Sequence, residues 1–157
     1  MKKSVNIGFS FGLTSGIITT LGLLIGLNYS THSKLVVLGG IMTIAVADAL
    51  SDALGIHISQ ESQIRKSKEV WESTFATLIS KFVFAMSFAV PILLFNLSAA
   101  VIISIIYGLS LLAILSYYIA KKEKKKPFNV IMEHIVIAAL VIIFTYMLGN
   151  MIGTLFV

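Results

Sequence analysis

Five apolar windows, each long enough to cross a bilayer, run through the sequence at 5–27, 35–58, 75–97, 99–120 and 128–156. A spanning helix needs about 20 mostly apolar residues. The backbone of a helix satisfies its own N–H and C=O groups, as hydrocarbon requires. The sequence therefore predicts an all-α, polytopic membrane protein: one transmembrane domain over 1–157 with five helices, its main partner the lipid bilayer. Composition agrees, since 57% of residues are hydrophobic and 12% charged, with a mean hydropathy of +0.97. A soluble domain is about half apolar and about a quarter charged.

The breaks between windows are polar or charged. They fall at 28–34, at 59–73 with Glu61, Arg65, Lys66, Lys68 and Glu69, at the Asn96-Leu-Ser98 turn, and at the lysine run 121–126 before Pro127. With five spans, Lys2 and Lys3, the Arg65 segment and the 121–126 cluster share one side, while the other side carries Lys34 and an uncharged C-terminus. The positive-inside rule then predicts a cytoplasmic N-terminus and a C-terminus outside or in a lumen. The formal charge of +5 is accordingly topological, and no nucleic-acid partner is expected. Trp71, Tyr117 and Tyr118 suit an interfacial belt on the charged side. No small-residue cleavage site follows the first apolar run, which reads as a retained helix and not a signal peptide. The chain has no cysteine, which excludes disulfides and zinc–thiolate sites. No phosphate-loop or nucleophile motif is present, and no enzymatic activity is expected. Pro91 predicts a kink in the third span, for packing or for function.

Two spans carry small or polar stripes. In the first, Gly8, Gly12, Ser15, Thr19, Gly22 and Gly26 recur at alternating spacings of four and three, with Gly16 beside them; in the second, Ala45, Asp48, Asp52, Gly55, Ser59 and Ser62 do much the same. Small residues let helix backbones approach closely, which drives packing where apolar burial gives no gain. These stripes predict that the first two helices face each other, a second subunit, or both. Gly149 and Gly153 form a shorter pair in the fifth span.

Asp48 and Asp52 are four residues apart, so they share one helix face. A carboxylate in hydrocarbon costs about 3 kcal/mol on insertion scales, so the pair must face protein, water or a cation. At about 1.5 Å per residue, Ser15, Thr19, Asp48 and Asp52 form a polar layer near mid-membrane. Such hard oxygen donors suit Mn²⁺, Fe²⁺, Mg²⁺ or Ca²⁺. Two like charges side by side can also carry a proton, which together is the minimum of an antiporter. The competing reading is a buried polar pair that fixes helix register.

The same residues resemble the vacuolar iron transporter family. Gly12-Leu-Thr-Ser-Gly16-Ile-Ile-Thr-Thr20 is similar to its Gly-Ala-Asn-Asp-Gly-x-Val-Ser-Thr signature. Ala47-Asp-Ala-Leu-Ser-Asp-Ala-Leu-Gly-Ile-His-Ile-Ser-Gln-Glu-Ser62 resembles its second-helix motif Ala-Gly-Ala-Leu-Ser-Met-Ala-x-Gly-Glu-Tyr-x-Ser-x-x-Ser. Phe88-Ala-Val-Pro91 and 138–149 are weaker matches, and the five-span layout agrees. The resemblance implies a homodimer, joined through the first two helices, that exports Fe²⁺ or Mn²⁺ from the cytosol in exchange for protons, with no permanently bound cofactor. The family's first-helix aspartate falls on Ser15, its second-helix methionine on Asp52, its glutamate on Ile56 and its tyrosine on His57, while Asp48 replaces a small residue. The negative charge is thus expected to have moved onto the second helix, and losing the thioether shifts preference toward Mn²⁺ or another hard ion. The short 59–73 link lacks the family's cytoplasmic metal-binding insert, which points to a prokaryotic cell membrane. Two rivals stand beside export: a non-transporting binding or regulatory homologue, and a proton-coupled transporter of another solute.

Further polar residues take secondary roles. His57 and Glu61 lie one turn apart and form either a solvated helix end or a feeder for cations from the cytoplasm. Glu133 and His134 are interfacial or line a vestibule. Lys81 is read as snorkelling to the cytoplasmic surface, with service as an aspartate's counter-ion the alternative.

Overall fold

The computed structural model describes residues 2–63 and 65–156. Among these, helices are the regular structure and no strand occurs. The elements are α1 (Lys3–Thr31), α2 (Lys34–Ser62), α3 (Ser67–Ser87), α4 (Ala89–Leu94), α5 (Leu97–Lys122) and α6 (Pro127–Phe156). Five stretches among the described residues are long and apolar enough to cross a membrane: α1, α2, Ser67–Leu94, α5 and α6. The architecture is compatible with an integral multi-pass membrane protein.

Helix ends extend beyond the apolar windows. α2 runs on to Ser62 and α3 begins at Ser67, so most of the stretch read as a polar link is helical. Hydropathy marks only the apolar part of a helix, while polar turns can prolong it into the interface. Glu69 lies in the first turn of α3, where the helix dipole favours a carboxylate. The expected break near Pro91 is present: α3 ends at Ser87 and α4 starts at Ala89. Proline has no N–H to offer the carbonyl four residues back, and its ring crowds that carbonyl. The Phe88 N–H turns instead to Ala85 O at 3.2 Å, a tighter i−3 bond.

The ends of α4 and α5 and the start of α6 are set by recognisable chemistry. Asn96 Oδ1 accepts from the Ala99 N–H at 2.9 Å, an N-cap for α5. Lys34 Nζ donates to the Leu93 and Phe95 carbonyls at 3.2 and 3.0 Å, where a cation also suits the negative end of α4. α5 closes with Lys124 at φ 56 and a bond from Lys125 N to Ala120 O of 2.9 Å, a six-to-one helix-terminating loop. α6 opens on Pro127, whose fixed φ fits a first helical position.

The chain divides into two compact units, Met1–Thr20 with Ile41–Ala89, and Leu21–Gly40 with Val90–Val157. In the first, Gly8, Gly12 and Gly16 of α1 press on α3: a Cβ at Gly12 would lie 2.2 Å from Ser80 Oγ and 2.5 Å from the Thr77 carbonyl oxygen. The facing side of α3 buries Ser73, Thr74, Thr77, Ser80 and Lys81. The hydroxyls stay satisfied by donating back along their own helix, as Thr77 does to Ser73 O at 2.9 Å and Ser80 to Ala76 O at 2.7 Å. In the second unit, Gly22 and Gly26 lie against Val141 and Thr145 of α6, and a Cβ at Gly149 would meet Gly26 O at 2.5 Å. The glycines of the α1 stripe are therefore used by α3 and α6, while Ser15 of the same stripe meets α2 through Asp52. Gly55 of α2 has open space at its Cβ position, with no described neighbour within 4 Å of it. Small and hydroxylated residues line the closest helix contacts, large apolar side chains such as Ile17, Leu21, Phe88 and Leu112 fill the rest of the interior, and others such as Leu50, Leu54, Ile79 and Phe144 face outward.

Candidate functional site

The site lies in the first compact unit and takes one residue from α1, two from α2 and one from α3. The i, i+4 spacing brings Asp48 and Asp52 onto one face of α2, beside Ala45, Ala49 and Ala53, which are buried. Gly16 lets α3 come close enough that a Cβ there would stand 3.1 Å from the Lys81 carbonyl oxygen. That approach delivers the Lys81 side chain to the aspartates. Its ammonium lies 2.5 Å from Asp48 Oδ2 and donates to Asp52 Oδ2 and, at 2.9 Å, to Ser15 Oγ. Ser15 in turn donates to Asp52 Oδ2 at 2.7 Å. Asp48 Oδ2 touches Nζ outside hydrogen-bond alignment, so that contact is ionic and the Asp52 contacts carry the directional bonds.

Lys81 thus does not snorkel. Its side chain is 1% exposed, against 27% for Asp48 and 21% for Asp52. The ammonium is enclosed, and each carboxylate keeps a partly open edge. Two acids and one ammonium leave a formal charge of −1, so the cluster is half-neutralised. A buried ammonium without such partners would be far costlier than the pair.

The other sequence-predicted residues separate from this cluster. The Thr19 hydroxyl donates to Ser15 O at 2.8 Å along its own helix and makes no hydrogen bond to Lys81 or the aspartates. His57 Nδ1 lies 3.0 Å from Thr74 Oγ1, and its ring packs edge-on against Trp71 at 4.7 Å. Since Thr74 donates to Val70 O at 2.8 Å, the hydroxyl can accept from Nδ1–H. Glu61 is exposed, and the structure does not join it to His57. Glu133 is exposed on α6 in the second unit, where its neighbour His134 lies with Nδ1 2.7 Å from Ser116 Oγ. Among the described residues, no group of three or more His, Asp or Glu side chains is placed to hold a metal ion.

The residue that sequence reasoning undervalued is Lys81. A signal existed: Ser73, Thr77, Ser80 and Lys81 repeat at spacings of four, three and one, a polar stripe like those recognised in the first two spans. In comparisons with protein-family models, with curated proteins and with solved structures, no match to this chain is found.

Proposed function

We propose that this protein exchanges a divalent cation, Fe²⁺ or Mn²⁺, for protons across a membrane, with its N-terminus in the cytoplasm and export as the direction. One observation carries the reading: a nearly fully buried ammonium, Lys81, held between two acids that retain partly open edges. The carboxylates supply hard oxygen donors for such a cation. The ammonium holds the unloaded site together. A divalent ion and the ammonium compete for the same oxygens, so loading requires Lys81 to withdraw or to give up its proton. Where Lys81 gives up its proton, cation binding is coupled to proton release; where it withdraws with its charge, it is not. Organisation as a homodimer is part of the proposal, with the outward face of α2 as the contact.

The same geometry favours one rival, in which the ion cluster only locks α1, α2 and α3 in register. Flux separates the two. Purified protein in vesicles with an imposed proton gradient should move Mn²⁺ or Fe²⁺ and acidify or alkalinise the lumen in step. The Asp52→Asn variant, if it folds, should not. Normal folding with no flux of either ion in the unaltered protein would leave the register-locking reading.

A further inference from the structure

A second polar feature lies at the end of the first unit where α1 begins, α2 ends and α3 begins. It is a hollow of about 510 Å³. Lys2 and Lys3 contribute from one side, and Arg65, Lys66 and Lys68 from the other. Two carboxylates, Glu69 and Glu72, share the wall. Glu72 is already engaged: Lys2 Nζ lies 2.6 Å from its Oε1, and Ser4 Oγ donates to its Oε2 at 2.6 Å. Even with Glu69 offsetting one more charge, the hollow keeps an excess of cations drawn from two separate segments of the chain.

Its lining is not all flexible lysine. Gln60 is 7% exposed and borders the hollow, a neutral side chain with an amide donor among the charged ones. Ile7 adds an apolar wall. Trp71, half-exposed and stacked on Phe75 at 5.5 Å, stands next to Glu72 in the chain, at the level where aromatic rings meet lipid headgroups.

We propose that this hollow binds the phosphate of an anionic phospholipid headgroup. The cations neutralise the phosphate, Gln60 supplies a neutral donor, and Ile7 meets the glycerol and upper acyl carbons. The apolar wall and the position at the ends of three spanning helices favour a lipid over a free anion. Clustered lysines and arginines beside a span attract acidic lipid in general. The concave form and the apolar wall of Ile7 give this cluster a defined seat that the 121–126 run does not show.

Trp71 is the sole tryptophan and serves as the reporter. The full chain is reconstituted in phosphatidylcholine vesicles containing either brominated phosphatidylglycerol or brominated phosphatidylcholine, and quenching is read against lipid fraction. The expected result is a preference for phosphatidylglycerol of about fivefold or more. The preference should fall to near unity in a variant with Lys3→Gln, Arg65→Gln, Lys66→Gln and Lys68→Gln. It should persist in a control with Lys121→Gln, Lys122→Gln, Lys124→Gln and Lys126→Gln. Equal quenching by the two lipids in the unaltered protein overturns the proposal, as does an undiminished preference in the first variant. Complete loss of the preference on adding inorganic phosphate at constant ionic strength would assign the hollow to a free anion and overturn the lipid assignment.

Discussion

Lys81 Nζ and Asp48 Oδ2 are 2.5 Å apart, yet the lysine side chain is 1% exposed and the aspartate 27%. The positive partner is sealed and the negative one is approachable. Lys81→Met would leave two neighbouring carboxylates without their counter-ion. Losing one member of a buried pair costs about 3–5 kcal/mol, and the partly exposed acids place this case at the low end. The same change in an Asp48→Asn, Asp52→Asn background should cost much less, because no unpaired charge remains. Thermal unfolding of the purified variants in micelles measures the difference. Equal losses in both backgrounds would mean that Lys81 contributes packing and not charge.

The two acids should respond unequally to neutralisation. Asp52 Oδ2 accepts from both Lys81 and Ser15, whereas Asp48 makes an ionic contact. A hydrogen bond to a charged group contributes about 1.5–3 kcal/mol. Asp52→Asn should therefore destabilise more than Asp48→Asn, and Ser15→Ala, which removes a hydroxyl bonded to both charges, should lose about 1.5–3 kcal/mol. In vesicles both aspartate variants should lose cation flux, since each removes a carboxylate from the proposed site. Ser15→Ala should weaken cation affinity and retain turnover at saturating cation.

Gly12 and Gly55 make a controlled comparison of packed and open glycines. At Gly12 an added methyl meets Ser80 Oγ at 2.2 Å and backbone oxygen at 2.5 Å; at Gly55 it meets nothing within 4 Å. Overpacking of a tight contact costs about 1–3 kcal/mol, and backbone cannot move aside as a side-chain tip can. Gly12→Ala should lower the melting temperature by several degrees. Gly55→Ala should be neutral or should stabilise by up to about 1 kcal/mol through helix propensity. If Gly55→Ala instead destabilises while shifting the protein from dimer to monomer in size-exclusion with light scattering, a second copy covers that face.

The helices were readable because spanning length and charge asymmetry are one-dimensional signals. The run of α2 past Ser59 was readable too, since no Gly or Pro stops it, but the polar start of α3 at Ser67–Glu69 was not, since hydropathy averages erase a single charged turn. The small stripe of α1 was equally visible, but its partner was not. Sequence says that Gly8, Gly12 and Gly16 face a helix, and only packing says that the helix is α3. Asp48 and Asp52 announce themselves by the cost of a carboxylate in hydrocarbon. Lys81 was hidden by its flexible stem, which makes snorkelling physically sound for any lysine near a helix end. What decides against it is the enclosure created by Gly16, a tertiary property.

Glu123 offers a pH measurement outside the spanning helices. The hydrogen bond from Lys125, at 2.7 Å, with the charge of that lysine behind it, holds the Glu123 carboxyl below its usual range. A depressed carboxylate contributes stability above its ordinary pKa and loses it as pH falls through the folded value. Both groups are solvent-exposed, so screening leaves little of that contribution. Lys125→Gln should move the Glu123 titration, followed by carboxyl-carbon NMR, upward to an ordinary value without a measurable change in melting temperature. An unmoved titration would show that the pair does not form in solution.

Lys124 ends α5 with a left-handed backbone, φ 56, at the position where glycine is favoured. The loop there is complete: Lys125 N reaches Ala120 O at 2.9 Å, and Lys124 N reaches Lys121 O at 3.4 Å. A side chain in this region crowds its own carbonyl at a cost of about 1 kcal/mol, which glycine avoids. Glycine also gains freedom in the unfolded chain, which offsets part of the gain. Lys124→Gly should therefore raise stability by a few tenths to about 1 kcal/mol. Lys124→Val, whose branched side chain tolerates this backbone least, should lower it and fray the last turn of α5. Hydrogen exchange at the Glu123 and Lys125 amides reads that fraying directly: slower exchange in the glycine variant and faster exchange in the valine variant are expected. The opposite order would mean that the turn unwinds in the membrane-bound protein and that Pro127, not the Lys124 loop, sets the boundary between the last two spans.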